Sequence, residues 1–204
     1  MLTREFISRA ISTIFLIGAF AFSVYWLWPE KSVVQPPGVF APKNPSQVNT
    51  PEGKKWIKDG YYIDALARYT IRAKVLGIEN YFFDDASSIC PTDLALGWGK
   101  MSDQEVVDKL DIWQAGRWYK WKTDVLPIPQ KEIETHSANV HIIPGNETAI
   151  YVLEEVALGN IIEMIGYLVD IRGEGFRMKS SMSRTDRGGG ACEVMWVDRI
   201  KIIR

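Results

Sequence analysis

Three short stretches hold the residues best suited to chemistry. Residues 136–141 read HSANVH and contain both histidines of the chain, His136 and His141. Histidine titrates near neutrality and ligates metals, so the pair suggests acid–base work or a zinc site. The spacing opposes one shared zinc. An odd separation sends the two rings to opposite faces of a strand, and on a helix they diverge as well. No C-x-x-C or H-E-x-x-H accompanies them, so neither a metal nor a cofactor is expected. Ser137 could serve as a nucleophile, but it lacks the sharp elbow of G-x-S-x-G. The second stretch, residues 180–193, sets Arg184, Asp186, Arg187 and Glu193 around Gly188-Gly189-Gly190. Successive backbone N–H groups in such a loop can cradle an anion. A catalytic reading would therefore draw on His136, Ser137, His141, Arg184, Asp186 and Glu193. The third stretch gathers Trp98, Trp113, Trp118 and Trp121 near Lys120 and Lys122. Aromatic rings beside basic groups can stack sugars or bases. Candidate binding residues are Trp98, Trp118, Trp121, Asn139 and Arg184.

Each candidate has a plainer counterpart. Polar groups in an apolar strand commonly satisfy buried backbone. A Gly-rich run is commonly a hairpin loop, and large aromatics commonly fill cores and interfaces. Cys90 and Cys192 could form one disulfide closing a long loop, worth about 4–5 kcal/mol. A buried thiol at Cys192 fits the sequence equally well. Acids concentrate in residues 79–111 and bases in residues 172–204. That asymmetry could steer a charged partner or be self-complementary within the fold.

These residues must be positioned by a small number of elements. Residues 68–75 alternate apolar and polar, the period of a half-exposed strand. Ser102-Asp103-Gln104-Glu105 has capping-box spacing and predicts a helix to about Ile112. Residues 117–122 and 135–143 read as strands. Asn146 can cap a helix over residues 147–158, ended by Gly159. Residues 161–171 and 176–183 form a hairpin across Arg172-Gly173-Glu174-Gly175, and residues 192–203 form the last strand. The expected class is α+β: a mostly antiparallel barrel or sheet with two short helices, in the strand–helix order of an oligonucleotide/oligosaccharide-binding barrel. An open sheet with helices on one face fits nearly as well.

Ahead of that domain, residues 10–28 are apolar and uncharged. As one helix they would just span a hydrocarbon core of about 30 Å. Tyr25, Trp26 and Trp28 would lie at one interface, with Arg4 and Arg9 on the cytoplasmic side. Cleavage after Ala19-Phe20-Ala21 is the alternative, and an uncleaved anchor is favoured because Phe22 to Trp28 stay apolar. Pro36, Pro37, Pro42 and Pro45 suggest an extended tether. The resulting plan is an anchor (1–30), a proline-rich tether (31–53) and a periplasmic domain (54–204), single-pass in a bacterial inner membrane. The 204-residue chain carries net charge −1 with 47% apolar and 24% charged residues. That excludes a disordered chain and gives no sign of a strongly basic nucleic-acid binder.

Four segments together carry a resemblance: DLALGWGKMSD (93–103), GRWYKW (116–121), THSANVHIIP (135–144) and SSMSRTDRGGGACEVMWV (180–197). They resemble a family of uncharacterised bacterial proteins with one N-terminal membrane segment and a small exported domain, over roughly residues 61–203. The resemblance implies the topology above and transfers no catalytic residue. The expected function is an anchored binding or assembly module with a protein partner in the envelope. The alternatives are an envelope hydrolase built on residues 136–141 and 184–193, or a barrel that binds oligosaccharide or single-stranded nucleic acid. Nucleic acid is the disfavoured partner.

Overall fold

The computed structural model describes residues 9, 11–20, 31–50, 53–183 and 192–204. The chain divides into two units, Met1–Lys31 and Ser32–Arg204. In the first, the described residues form a helix over 11–20, α1. Residue 10 and residues 21–28 of the expected span lie outside the described residues. No helix among the described residues is long and apolar enough to cross a membrane. The expected transmembrane anchor, the single-pass topology and the inner-membrane and periplasmic placement built on residues 10–28 are corrected accordingly.

The second unit is mostly β rather than α+β. Its strands are β1 (Ser46–Asn49), β2 (Lys55–Lys58), β3 (Tyr61–Asn80), β4 (Thr92–Gly97), β5 (Asp111–Ala115), β6 (Trp118–Lys122), β7 (Ser137–Pro144), β8 (Ile161–Gly173), β9 (Phe176–Lys179) and β10 (Glu193–Ile202). Its helices are short: α2 (Gln104–Val107), α3 (Gln130–Thr135) and α4 (Glu147–Glu155), with a 3-10 turn at Gly99–Ser102. The expected helix to Ile112 stops at Val107. Ile112 and Gln114 then turn inward while Trp113 and Ala115 turn outward, which is strand periodicity. Asp103, not Ser102, caps α2, its carboxylate accepting from the Glu105 N–H.

Five strands close into a ring in the order β3-β4-β7-β10-β8 and back to β3. Every neighbouring pair is antiparallel except β7 with β10. One edge of the long β3 is taken by β8 across Tyr62 to Lys74. The other edge is shared in series by β2, β1 and β4. A bulge between Ala65 and Ala67 reverses which residues of β3 face which side. Ala65 therefore joins the cluster of Ile143, Val169, Val194 and Trp196, while Ala67 joins that of Tyr69, Leu94, Ile142 and Met195. Gly166 lets β10 pass close, since a Cβ there would stand 1.9 Å from the Trp196 carbonyl oxygen.

Residues 32–50 do not run as a free tether. Ser32 bridges Leu158, and β1 pairs with β3. Three consecutive side chains fasten the strap over residues 35–41. Ser102 Oγ accepts from the Ala41 N–H, Asp103 Oδ1 from the Gly38 N–H, and Gln104 Oε1 from the Gln35 N–H. Gln104 Oε1 also accepts from Lys74 Nζ, a buried amine.

Candidate functional site

The polar centre of the domain is built around Asp93, which is wholly buried in the middle of the sheet. It pairs in register with His141 across β4 and β7. On β7, Val140 and Ile142 enter one core cluster and Ile143 the other. Asn139 and His141 share the side of Ile143, since strand side chains alternate. Asp93 Oδ1 lies 2.7 Å from His141 Nδ1, and Oδ2 accepts from Asn139 Nδ2 at 3.1 Å. A carboxylate only accepts, so the His141 proton belongs on Nδ1. His141 is 5% exposed, and its Nε2 has no partner among the described residues.

The tip of the β5–β6 hairpin closes over this pair. Gly116 and Arg117 join the strands with φ of 59° and 65°, the left-handed geometry of a type I′ turn. Glycine adopts it freely, whereas for arginine it costs about 1 kcal/mol. The surroundings hold Arg117 in place. Its N–H donates to Tyr81 Oη at 3.0 Å, and its carbonyl accepts from Asn139 Nδ2 at 3.1 Å. The guanidinium grips Asp84 through two bonds of 2.6 and 2.7 Å and reaches Asp93 Oδ1 at 3.3 Å. It also donates to the Cys90 carbonyl at 3.1 Å and lies 4.0 Å from the centre of the Tyr81 ring. Gln114 on β5 completes the set by donating to Asn139 Oδ1 at 2.8 Å.

The electrostatics follow from this geometry. The Arg117 hydrogen bond holds the Asp84 carboxyl below the usual carboxylate range. Burial raises the Tyr81 phenol, and the Asp93 charge adds to the effect. Burial opposes the Arg117 charge, but Asp84 and Asp93 outweigh it, so its pKa is raised. Burial pushes the Cys90 thiol up to about 12, leaving it inert at neutral pH.

The structure redistributes the residues singled out from the sequence. His136 ends α3, with Nδ1 3.1 Å from both the Glu132 carbonyl and Thr135 Oγ1. Ser137 Oγ donates to the Ile133 carbonyl at 2.7 Å, so it works as a local helix fastener. Neither joins His141. Glu193 is buried and pairs in register with Val140, which puts it on the opposite side of β10 from Val194. Arg184 and Asp186 lie outside the described residues. Of the binding candidates, Trp98 is buried with its indole N–H on Asn44, and Trp121 packs inward beneath the hairpin. Asn139 belongs to the Asp93 network, and Trp118 is partly exposed on the outer hairpin face. They form no common surface. Cys90 and Cys192 are thiols rather than the two ends of a disulfide.

Sequence reasoning missed Asp93, Arg117, Tyr81 and Asp84. Two signals were present. Asp93 is a lone acid in the apolar run TDLALGW, and Gly116-Arg117 sits between two alternating segments.

A groove lies between α4 and the loop that joins β3 to β4. Its volume is about 880 Å³, with Ile78, Phe82, Pro91, Ile150, Leu153 and Val156 in its lining. Phe82 is 63% exposed and Phe83 fully exposed beside it. Lys58 and Glu154 supply charge at the groove.

Comparison of the chain with protein-family models, with curated proteins and with solved structures finds no match.

Proposed function

We propose that the protein is a binding or assembly module that uses the groove beside α4 to hold an apolar segment of a protein partner. The observation that carries this reading is the outward display of Phe82, which lines that groove, and of Phe83, whose ring lies 6.3 Å from that of Phe82. Exposing two adjacent phenylalanines on a loop forgoes burial worth about 1.5–3 kcal/mol for each side chain. Contiguous apolar surface of this kind marks interaction sites. Lys58 and Glu154 give the groove charges that can set the orientation of an incoming segment. The interlocked Asp93–Arg117–Asp84 cluster supports the same reading, because it braces the end of the loop that carries both rings.

The test is site-specific photo-crosslinking in the native host. A photoreactive residue at Phe83 should give a discrete adduct with another protein, and one at Val48, exposed elsewhere, should not. Adding Ile150→Asp should abolish the Phe83 adduct. Indistinguishable patterns from the two positions would refute the proposal.

A further inference from the structure

We infer that Cys192, His141 and Asp93 form a thiol nucleophile centre for acyl transfer, taking esters, thioesters or amides as substrates. This stands apart from the groove and uses no residue of it.

Register supplies the first argument. β10 runs parallel to β7 with Val194 beside His141 and Glu193 beside Val140. Cys192 therefore falls diagonal to His141 and on its face of the sheet, where such neighbours stand about 7–8 Å apart at Cα. The hydrogen bond from the Ser181 N–H to the Cys192 carbonyl, 2.9 Å, keeps this residue in line with the strand that follows. The sulfur position confirms the face independently. Cys192 Sγ lies 3.9 Å from the Arg117 carbonyl oxygen, the same atom that accepts from Asn139 Nδ2.

The orientation of the imidazole is the second argument. Its two nitrogens point to nearly opposite sides of the ring. Nδ1 is committed to Asp93 on β4, so Nε2 turns away from β4 toward the β10 side, where Cys192 stands. The positioning carboxylate is itself held by Asn139 and Arg117. This is the order nucleophile, base and orienting carboxylate that acyl-transfer sites use. A buried charged network is a poor way to gain stability alone, since apolar side chains of equal volume do as well or better.

The two thiols differ in the required sense. Cys90 is fully buried, with its thiol pushed up to about 12, whereas Cys192 is partly accessible. Among the described residues, the charged groups set against His141 are Asp93 on β4 and, through Asp93, Arg117 at the hairpin tip.

The step balances without a further reactant except water. His141 Nε2 takes the Cys192 proton, and the sulfur bonds to the substrate carbonyl carbon. The leaving alcohol, thiol or amine departs with the proton from Nε2. Water, deprotonated by Nε2, then attacks the thioester, releasing the carboxylic acid and restoring the thiol.

The experiment is residue-resolved alkylation of the full chain with iodoacetamide, followed by peptide mass spectrometry from pH 5.5 to 9 (roughly the span in which His and ordinary thiols titrate). In the wild type at pH 6.5, Cys192 should react at least about tenfold faster than the same cysteine in the urea-unfolded chain. Cys90 should stay unlabelled. His141→Gln should bring the Cys192 rate down to that of the unfolded chain. Exposure to p-nitrophenyl acetate should leave an acetyl thioester on Cys192 of the wild type and none on the His141→Gln chain. Wild-type Cys192 reacting no faster than in the unfolded chain would overturn the proposal, whatever the folding of the variant. Equal rates in the wild type and a folded His141→Gln chain would also overturn it, as would acetylation of lysines only.

Discussion

Arg117 offers a test in which backbone and side-chain contributions separate. Arg117→Ala removes the grip on Asp84, the contact with Asp93, the bond to the Cys90 carbonyl and the ring contact with Tyr81. Asp93 is fully buried, and removing one partner of a buried ion pair costs about 3–5 kcal/mol. The Asp84 arm adds less than about 1 kcal/mol, because its carboxylate is 40% exposed and screened. The Arg117 N–H and carbonyl remain in place, so the bonds to Tyr81 Oη and Asn139 survive either replacement. Arg117→Gly loses the same side chain but also relieves the left-handed backbone, recovering about 1 kcal/mol. The expected order of stability is wild type, then Arg117→Gly about 3 kcal/mol below it, then Arg117→Ala about 4 kcal/mol below it. Glycine above alanine is the reverse of their usual order in regular structure. Urea unfolding followed by tryptophan fluorescence measures this, provided the slopes agree among the three proteins. Arg117→Ala as stable as Arg117→Gly would refute the strained-turn account. A loss below about 1 kcal/mol in both would refute the claim that this arginine braces the buried carboxylate.

Two further outcomes follow from the packing. Gly159 has φ of +82°, and a Cβ there would stand 1.9 Å from the Val33 carbonyl oxygen. Gly159→Ala should therefore free the strap, seen as faster amide exchange at Val33 and at the Ala41 N–H now held by Ser102. Unchanged protection at both would contradict this. The Cys90 thiol, raised by burial to about 12, contributes stability that is complete below its ordinary value of 9.0. That stability is lost as pH rises toward about 12, because the unfolded chain releases the proton first. Cys90→Ala should lower the alkaline dependence of unfolding free energy by about one proton, read from urea midpoints between pH 8 and 11. Equal dependence in both proteins would exclude this origin.

Much of the strand framework was legible in the sequence, because period-two alternation reports directly on a half-buried strand. Residues 68–75 lie within β3, residues 161–171 within β8, and the Asn146 cap opens α4 with its side chain accepting from the Ala149 N–H. The turn between β8 and β9 falls at Glu174-Gly175, inside the expected loop. The helix after Ser102 was overextended, since a capping signal marks where a helix begins and carries nothing about its length. Residue 10 and residues 21–28 of the expected anchor lie outside the described residues, and no helix among the described ones is long and apolar enough to cross a membrane. Asp93, Arg117 and His141 could not be grouped from spacing. They meet only through the β4–β7 register and the fold-back of a hairpin tip, both long-range features. Asn139 and His141 were marked as polar residues in an apolar strand, and their shared side follows from alternation alone. Cys192 appeared as a disulfide candidate because its neighbour across the sheet was invisible without the parallel pairing to β7.

The placement of β10 has a consequence for how the chain is made. It is the last ring strand to leave the ribosome, yet it lies between β7 and β8. Until residues 193–202 emerge, two strands that are neighbours to it in the finished ring keep bare edges, which invite pairing with other nascent chains. A translational stall just upstream of Cys192 would leave β3 to β9 synthesised but the ring unable to close. Such truncated chains should be clients for chaperones and proteases, and quality control of this protein is expected to act there.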